Sequence, residues 1–400
     1  MTQITLYIVA NETGSGIDQP RLSGGDRIAI ECIRRWAKRV DLINIFTGKS
    51  GLSMYRRYIT EGVNFIITSH FTFKKPSLIH LLLFEFSSLL GGVIAALSIS
   101  KVPDKAIIYS ASDFLPDSIP AWMMKKRFRN AKWIATFFLF APNPFSKESP
   151  YRGIRRLNGF LYYTSQLFAR AIIRKYADMV WVTNELDRWR FIDNKRFTPD
   201  KVVAVRGGVD FKTPSLIPEP KKKRFDAVFI GRFHPQKGVL KLIDMWKYVC
   251  ERKKDAKLAV IGVGELEGEV KAKIKKYGLE NNVFLFGFKD GVEKIKIFKE
   301  SKIVVHPAIY DSGGMAACEA MACGLPGVSF DLPALKTYYP KGMLKTPCFD
   351  LEKFAENILR LLNNEELYRE MSNDALDWAR EWDWDTRATY LFNKVVETLE

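Results

Sequence analysis

Residues 311–330, DSGGMAACEAMACGLPGVSF, follow the apolar run Ile303–Pro307 and decide how the surrounding chain must fold. A β-rich run, a glycine pair at Gly313–Gly314, an apolar helical stretch Met315–Cys323 and a second β-rich run Gly327–Ser329 read as strand, helix, strand. Two strands joined through a helix are parallel, and the crossover is right-handed. Asp311 falls at the end of the first strand and Glu319 on the helix. Carboxylates accept hydrogen bonds from hydroxyls, and uncovered N–H groups at a helix start hold anions. The pattern therefore suits a polyhydroxyl ligand carrying phosphate, as a sugar nucleotide does.

The same alternation extends in both directions. Upstream lie strand Ala227–Ile230, helix Lys237–Glu251, strand Leu258–Ile261, helix Glu265–Tyr277, strand Val283–Phe286 and a short helix to Phe298; helices dominate from Leu351 onward. The first half repeats the theme, with β-rich runs at Ile4–Ala10, Leu42–Phe46, Asn64–Ser69, Ala106–Ser110, Trp133–Phe138, Met179–Thr183 and Val202–Arg206. Between the first two, Ala29, Ile33, Trp36, Ala37 and Val40 share one helix face. Thr213–Arg224, with three prolines and a basic run, has no periodicity and reads as a linker. The expected organisation is an α/β chain of two doubly wound, Rossmann-like domains. Residues 1–210 form the first, 211–224 the linker and 225–380 the second, with a final helix in 381–400 crossing back to the first domain. Such sheets bind ligands beyond the carboxyl ends of their strands, which places the site in a cleft between the two domains.

Composition narrows the setting. Four hundred residues with 47% apolar content exceed one typical domain and support two cores. The five cysteines show no metal-ligand spacing and read as reduced thiols of a cytoplasmic protein, and Ile4–Ala10 reads as a first strand rather than a signal peptide. Charge is uneven: residues 1–200 hold 29 Lys+Arg against 16 Asp+Glu, net +13, while the rest hold 33 against 29, net +4. A basic, aromatic-rich first half points to an anionic partner. Leu78–Ile99 is long and apolar enough to span a bilayer, but Glu85 makes insertion costly, so the expectation is a buried helix between two strands, with a membrane-touching helix as the alternative.

A second motif supports the ligand reading. GRFHPQKG at 231–238 ends a strand in Gly231 and supplies Arg232 and Lys237 near the next helix, two cations suited to a diphosphate. With GGVD at 207–210, VIGVGE at 260–265, FLFGF at 284–288 and HPAIYDSGGMAACEAMACGLP at 306–326, the chain resembles the retaining GT-B glycosyltransferases of the E-x7-E group, which use nucleotide-diphosphate sugars. The resemblance covers the second domain well and the first by layout.

It implies roles position by position. Arg232 and Lys237 would bind the diphosphate, Glu319 the ribose hydroxyls, and Asp311, where the first Glu usually stands, the transferred sugar. Gly313 and Gly314 would present N–H groups near the distal phosphate and sugar. Gly287 and Phe288 would flank the base, while Gly24 and Gly25 would let the first domain approach the phosphates. The usual EGFG is DSGG here, and Asp311 is one methylene shorter than Glu. The acceptor is expected to be a lipid-linked glycan or glycolipid at the cytosolic face of a membrane, with peripheral contact through the first domain. No metal is expected. Asp383-Trp384-Asp385 matches a DxD metal pattern but opens a helix, where Asp is a natural cap. Rival readings are an inactive sugar-nucleotide-binding homologue and a basic nucleic-acid-binding protein. The latter lacks any helix-turn-helix, zinc or RNA-binding signature.

Overall fold

The computed structural model describes residues 4–14, 22–73, 77–146, 149–153, 155–193 and 195–400. Residues 1–146, 153–207 and 385–400 form one compact unit, and 147–152 with 208–384 a second.

In the first unit the order is β1 (Thr5–Val9), α1 (Gly24–Trp36), β2 (Leu42–Thr47), α2 (Lys49–Tyr55), β3 (Asn64–Ile67), α3 (Leu78–Ser98) and β4 (Ala106–Ser110). There follow α4 (Leu115–Arg127), β5 (Lys132–Phe137), α5 (Arg155–Tyr176), β6 (Met179–Val182), α6 (Glu185–Arg188) and β7 (Val202–Ala204). The seven strands form one parallel sheet in the order β3-β2-β1-β4-β5-β6-β7. β1 lies between β2 and β4 with Val9 beside both Phe46 and Ser110. Burial on both faces explains the β-branched runs along these strands. α1 begins at Ser23, whose side chain accepts from the Asp26 N–H while the Asp26 carboxylate accepts from the Ser23 N–H.

α3 departs from the expected buried helix. Only its inner face packs, against α4. There Gly92 lies so close to Asn11 and Pro120 that a Cβ would sit 2.6 Å and 2.9 Å from them. The outer face remains exposed, and 28% of the apolar stretch Ile79–Ser98 is buried. By length and composition this helix could cross a membrane.

The second unit contains α7 (Lys212–Leu216), β8 (Phe225–Ile230), α8 (Val239–Arg252), β9 (Leu258–Ile261), α9 (Glu267–Lys276), β10 (Val283–Gly287) and α10 (Gly291–Lys299). It continues with β11 (Ser301–His306), α11 (Met315–Met321), β12 (Gly327–Phe330), α12 (Pro333–Tyr338), β13 (Met343–Thr346), α13 (Leu351–Asn363) and α14 (Glu365–Arg380). Its parallel sheet runs β10-β9-β8-β11-β12-β13. Trp246, Val260, Ile303 and Ile358 are among the fully buried side chains of its core.

The stretch read as a linker is packed onto this unit: it carries α7, and the Lys299 ammonium donates to the Ile217 carbonyl at 2.5 Å. The last helix, α15 (Trp384–Glu397), returns to the first unit. There the Trp36 indole donates to the Ala388 carbonyl at 2.9 Å.

Candidate functional site

The strand order of the second unit reverses between β8 and β11, the point at which doubly wound sheets hold ligands. The residues singled out by sequence leave the carboxyl ends of these two strands. Gly231 and Arg232 follow β8, then a 3-10 turn Pro235–Lys237 leads to Gly238. Gly238 has φ 68°, and a Cβ there would lie 1.9 Å from the Pro307 carbonyl oxygen. Only glycine allows this left-handed entry to α8, so the helix starts at Val239 rather than at Lys237. Lys237 is thereby held on the turn, facing the loop after β11.

The Lys237 ammonium pairs with Asp311 Oδ2 at 2.5 Å, and the Asp311 side chain is 9% exposed. Asp311 Oδ1 accepts from the Ser312 N–H at 3.0 Å and the Gly313 N–H at 3.4 Å. His306, the last residue of β11, is buried with Nε2 3.4 Å from Asp311 Oδ2 and outside good hydrogen-bond geometry. Burial alone would raise the Asp311 carboxyl, but the Lys237 ammonium and His306 outweigh it and hold it well below the usual carboxylate range. Burial lowers the His306 imidazole, with Asp311 acting against that shift. His306 stands within the quoted motif, yet nothing in a strand-end His at sequence level assigns it this contact.

The Gly313 N–H points toward Asp311 Oδ1, 3.4 Å away. Gly314 precedes α11, where a Cβ would lie 2.7 Å from the Tyr339 hydroxyl and 3.2 Å from the His306 ring. Glu319 lies on α11, and both its oxygens are 2.9 Å from the Lys294 ammonium. Lys294, on α10, also donates to Asp290 Oδ1 at 2.9 Å and is buried. Sequence reasoning missed Lys294, because GVEKIKIFK gives no sign that one of its lysines turns inward. A carboxylate has about four lone-pair sites, so Glu319 keeps acceptor capacity beside this ammonium. Gly287 ends β10 with φ 68° and open space around its Cβ position, and Phe288 beside it is exposed. Arg232 is exposed and makes no ion pair among the described residues.

In the first unit the corresponding reversal lies between β1 and β4. Gly24 and Gly25 open α1 near this point, and a Cβ on Gly25 would lie 3.1 Å from the Phe138 ring. The same strand ends hold a carboxyl cluster that sequence reasoning missed. Asp117 Oδ1 accepts from the Asn11 N–H at 2.6 Å and the Glu12 N–H at 3.2 Å, while Ser112 donates to Oδ2 at 2.5 Å. Burial pushes Asp117 up to about 8 and Glu85 up to about 7. Glu12 is raised by burial and then by Glu85 and Asp117. Asp113, which accepts from the Gln166 amide at 2.7 Å, is pushed up to about 7 by burial.

A pH dependence follows. These carboxyls stay protonated in the folded unit at pH values where the unfolded chain, with pKa about 4, is ionised. The stability they contribute is complete below that unfolded value and is lost as pH rises through 7 to 8. Asp311, shifted downward, contributes stability above its unfolded value that is lost in acid. The melting temperature is expected to fall between about pH 5 and pH 8, and Asp113→Asn to flatten that fall. Parallel wild-type and variant curves would disprove the assignment.

Asp383 and Asp385 stand apart from these clusters. Asp385 pairs with Arg35 at 2.7 Å, and the Asp383 backbone bridges to Val209.

Two parallel α/β units with these strand orders match solved structures of the GT-B fold. Residues 215–378 match the family described as glycosyl transferases group 1. The chain is 24% identical over 231 residues to the poly(glycerol-phosphate) alpha-glucosyltransferase of Bacillus subtilis, covering 55% of this chain and 33% of that protein. It is 28% identical over 205 residues to the phosphatidyl-myo-inositol mannosyltransferase of Mycobacterium leprae, covering 49% and 54%. The matches thus span a third to about half of the length of these curated relatives. Among solved structures, Anabaena HepE in complex with UDP and glucose aligns with a TM-score of 0.72 at 13% identity, over 99% of this chain and 100% of that one.

Proposed function

We propose that the protein is a retaining glycosyltransferase that moves a sugar from a nucleotide-diphosphate sugar to a lipid-linked glycan or glycolipid at the cytosolic face of a membrane, without a metal ion. The observation that carries this reading is the meeting of Lys237 and Asp311 across the strand-order reversal, with Arg232 exposed just beyond β8 and Glu319 on the helix after Asp311. The UDP and glucose in the HepE structure and the substrates named for the two relatives support it.

Loss of the nucleoside diphosphate builds negative charge on the departing phosphate while the anomeric carbon becomes oxocarbenium-like. Arg232 and Lys237 are fixed cations for that charge. Lys237 is neutralised by Asp311 in the unliganded site. An arriving diphosphate competes for the ammonium and leaves Asp311 free to accept from sugar hydroxyls. Glu319, held by Lys294, retains lone pairs for the ribose hydroxyls. With retention, the acceptor attacks from the side of the leaving group, and a phosphate oxygen takes its proton.

The Lys237–Asp311 and Lys294–Glu319 pairs also suit a homologue that binds a sugar nucleotide without turnover. Thermal shift against a panel of nucleotide-diphosphate sugars, followed by product analysis with EDTA present, separates the readings. A stabilising donor with no transfer to any acceptor favours the binder, and transfer that EDTA abolishes and Mg²⁺ restores overturns metal independence. Asp311→Ala is expected to remove most transfer, whereas Asp311→Glu restores the reach of the family's usual residue and keeps activity or changes sugar preference. An unchanged rate in Asp311→Ala on every active donor would show that this carboxylate does not meet the sugar.

A further inference from the structure

We infer that the outer face of α3 and α5 in the first unit docks on an anionic lipid bilayer, with both helices lying in the interface rather than crossing it. On α3, Ile79, Leu82, Phe86, Leu90, Ile94 and Leu97 are all exposed, Ile79 by 70% and Phe86 by 65%. At 3.6 residues per turn they fall within an arc of about 120°, along about 27 Å of helix. A helix on a solvated surface carries polar residues on its outer stripe, so the pattern here is reversed. α5 repeats it with Leu157, Phe160, Leu161 and Phe168, all exposed, and Phe145 adds its ring 6.1 Å from that of Phe160.

The topology brings the two stripes together. The right-handed crossovers β3 to β4, β4 to β5 and β5 to β6 run in one direction across the sheet, so α3, α4 and α5 cover the same face. α4 packs against both neighbours. Contiguous apolar surface on this scale marks an interaction face.

Charge selects the occupant. α4 ends in Lys125, Lys126 and Arg127, while α5 opens on Arg155–Arg156 and closes on Arg174–Lys175. The only acids in the three helices are Glu85, which turns inward to Glu12, and Asp117, which is buried. Lys125 is half-buried and pairs with Asp178 at 2.8 Å, but Lys126, Arg127, Arg156, Arg174 and Lys175 are exposed, and apolar stripes flanked by such cations match the acyl boundary and phosphate layer of an anionic leaflet.

Interfacial docking rather than spanning follows from the inner face of α3. A Cβ on Gly91 would lie 1.6 Å from the Thr68 carbonyl oxygen, and Arg127 donates to the Leu97 carbonyl at 2.6 Å. The helix is bound to its unit along its length, so only the outer stripe is available to lipid.

The inference deepens the acceptor reading above: a docked first unit would meet an acceptor anchored in the same leaflet. Only this link to the acceptor rests on that reading; bilayer binding itself does not.

Co-sedimentation with vesicles of phosphatidylglycerol and phosphatidylcholine, against phosphatidylcholine alone, tests it. Wild type should bind the anionic vesicles at low salt. Phe86→Glu with Leu90→Glu, and separately Leu161→Glu with Phe168→Glu, should each weaken binding at least ~10-fold, as several buried apolar groups are lost. Lys126→Glu should weaken it and make its salt dependence shallower. Melting temperature and the thermal shift given by UDP should stay at wild-type values, so failure of lipid binding is distinguishable from failure of the donor site. Equal vesicle binding by wild type and both glutamate pairs would overturn the inference. So would a wild-type dimer in gel filtration that Phe86→Glu with Leu90→Glu converts to monomer, because a second copy would then cover the face.

Discussion

Arg232→Ala is expected to lower kcat about 10²–10³-fold with the fold intact, the usual cost of removing one fixed donor to transition-state charge. Arg232 is exposed and makes no ion pair among the described residues, so its removal orphans nothing. Lys237→Ala is expected to reduce turnover by a similar factor and also to destabilise the second unit. Its ammonium is the close partner of Asp311, whose side chain is 9% exposed. A carboxylate left unpaired there must protonate or carry the cost of its burial. Single-turnover kinetics with urea unfolding separates the two effects. Near wild-type turnover in Arg232→Ala would remove the phosphate-binding assignment. Full stability in Lys237→Ala would show that the pair seen here is not formed in solution.

The largest stability loss is expected from Lys294→Met, about 3–5 kcal/mol, because breaking a buried pair leaves uncompensated charge. Lys294 is buried between Asp290 and Glu319, each 2.9 Å away, so its removal leaves two carboxylates facing one another. Combining it with Glu319→Gln should recover part of the loss, since one of those charges is then gone. The denaturation midpoint of the second unit reads both effects, and a Lys294→Met midpoint equal to wild type would contradict this account. Where Lys294→Met remains folded, the donor KM should rise more than kcat falls, because Lys294 fixes the position of Glu319 and meets no reacting atom.

These two lysines divide what was legible in the sequence from what was not. Lys237 was legible: GRFHPQKG sets a basic residue just after a strand, and Gly238 forces the turn that presents it. The parallel sheets were legible for the same kind of reason. Runs such as Ala106–Ser110 and Ile303–Val305 alternate with helical periodicity, and that local pattern determines both element type and crossover. Lys294 was not legible, because one lysine among several on a short helix becomes a buried partner only when α10 is laid beside α11. His306 and the carboxyls Glu12, Glu85 and Asp117 are similar cases, since residues far apart in the chain approach only once strand order is set.

α3 shows the division within a single element. Its length, its apolar character and the presence of Glu85 were plain in residues 78–99, and they led to the expectation of a buried helix. Sequence by itself determined two parallel α/β units and placed Arg232, Lys237 and Asp311 just beyond strand ends and Glu319 on the helix after Asp311, because these follow from local periodicity and turn chemistry. The tertiary structure decided which charges neutralise one another and which apolar face stays uncovered, because pairing and burial depend on neighbours that only the packed chain supplies.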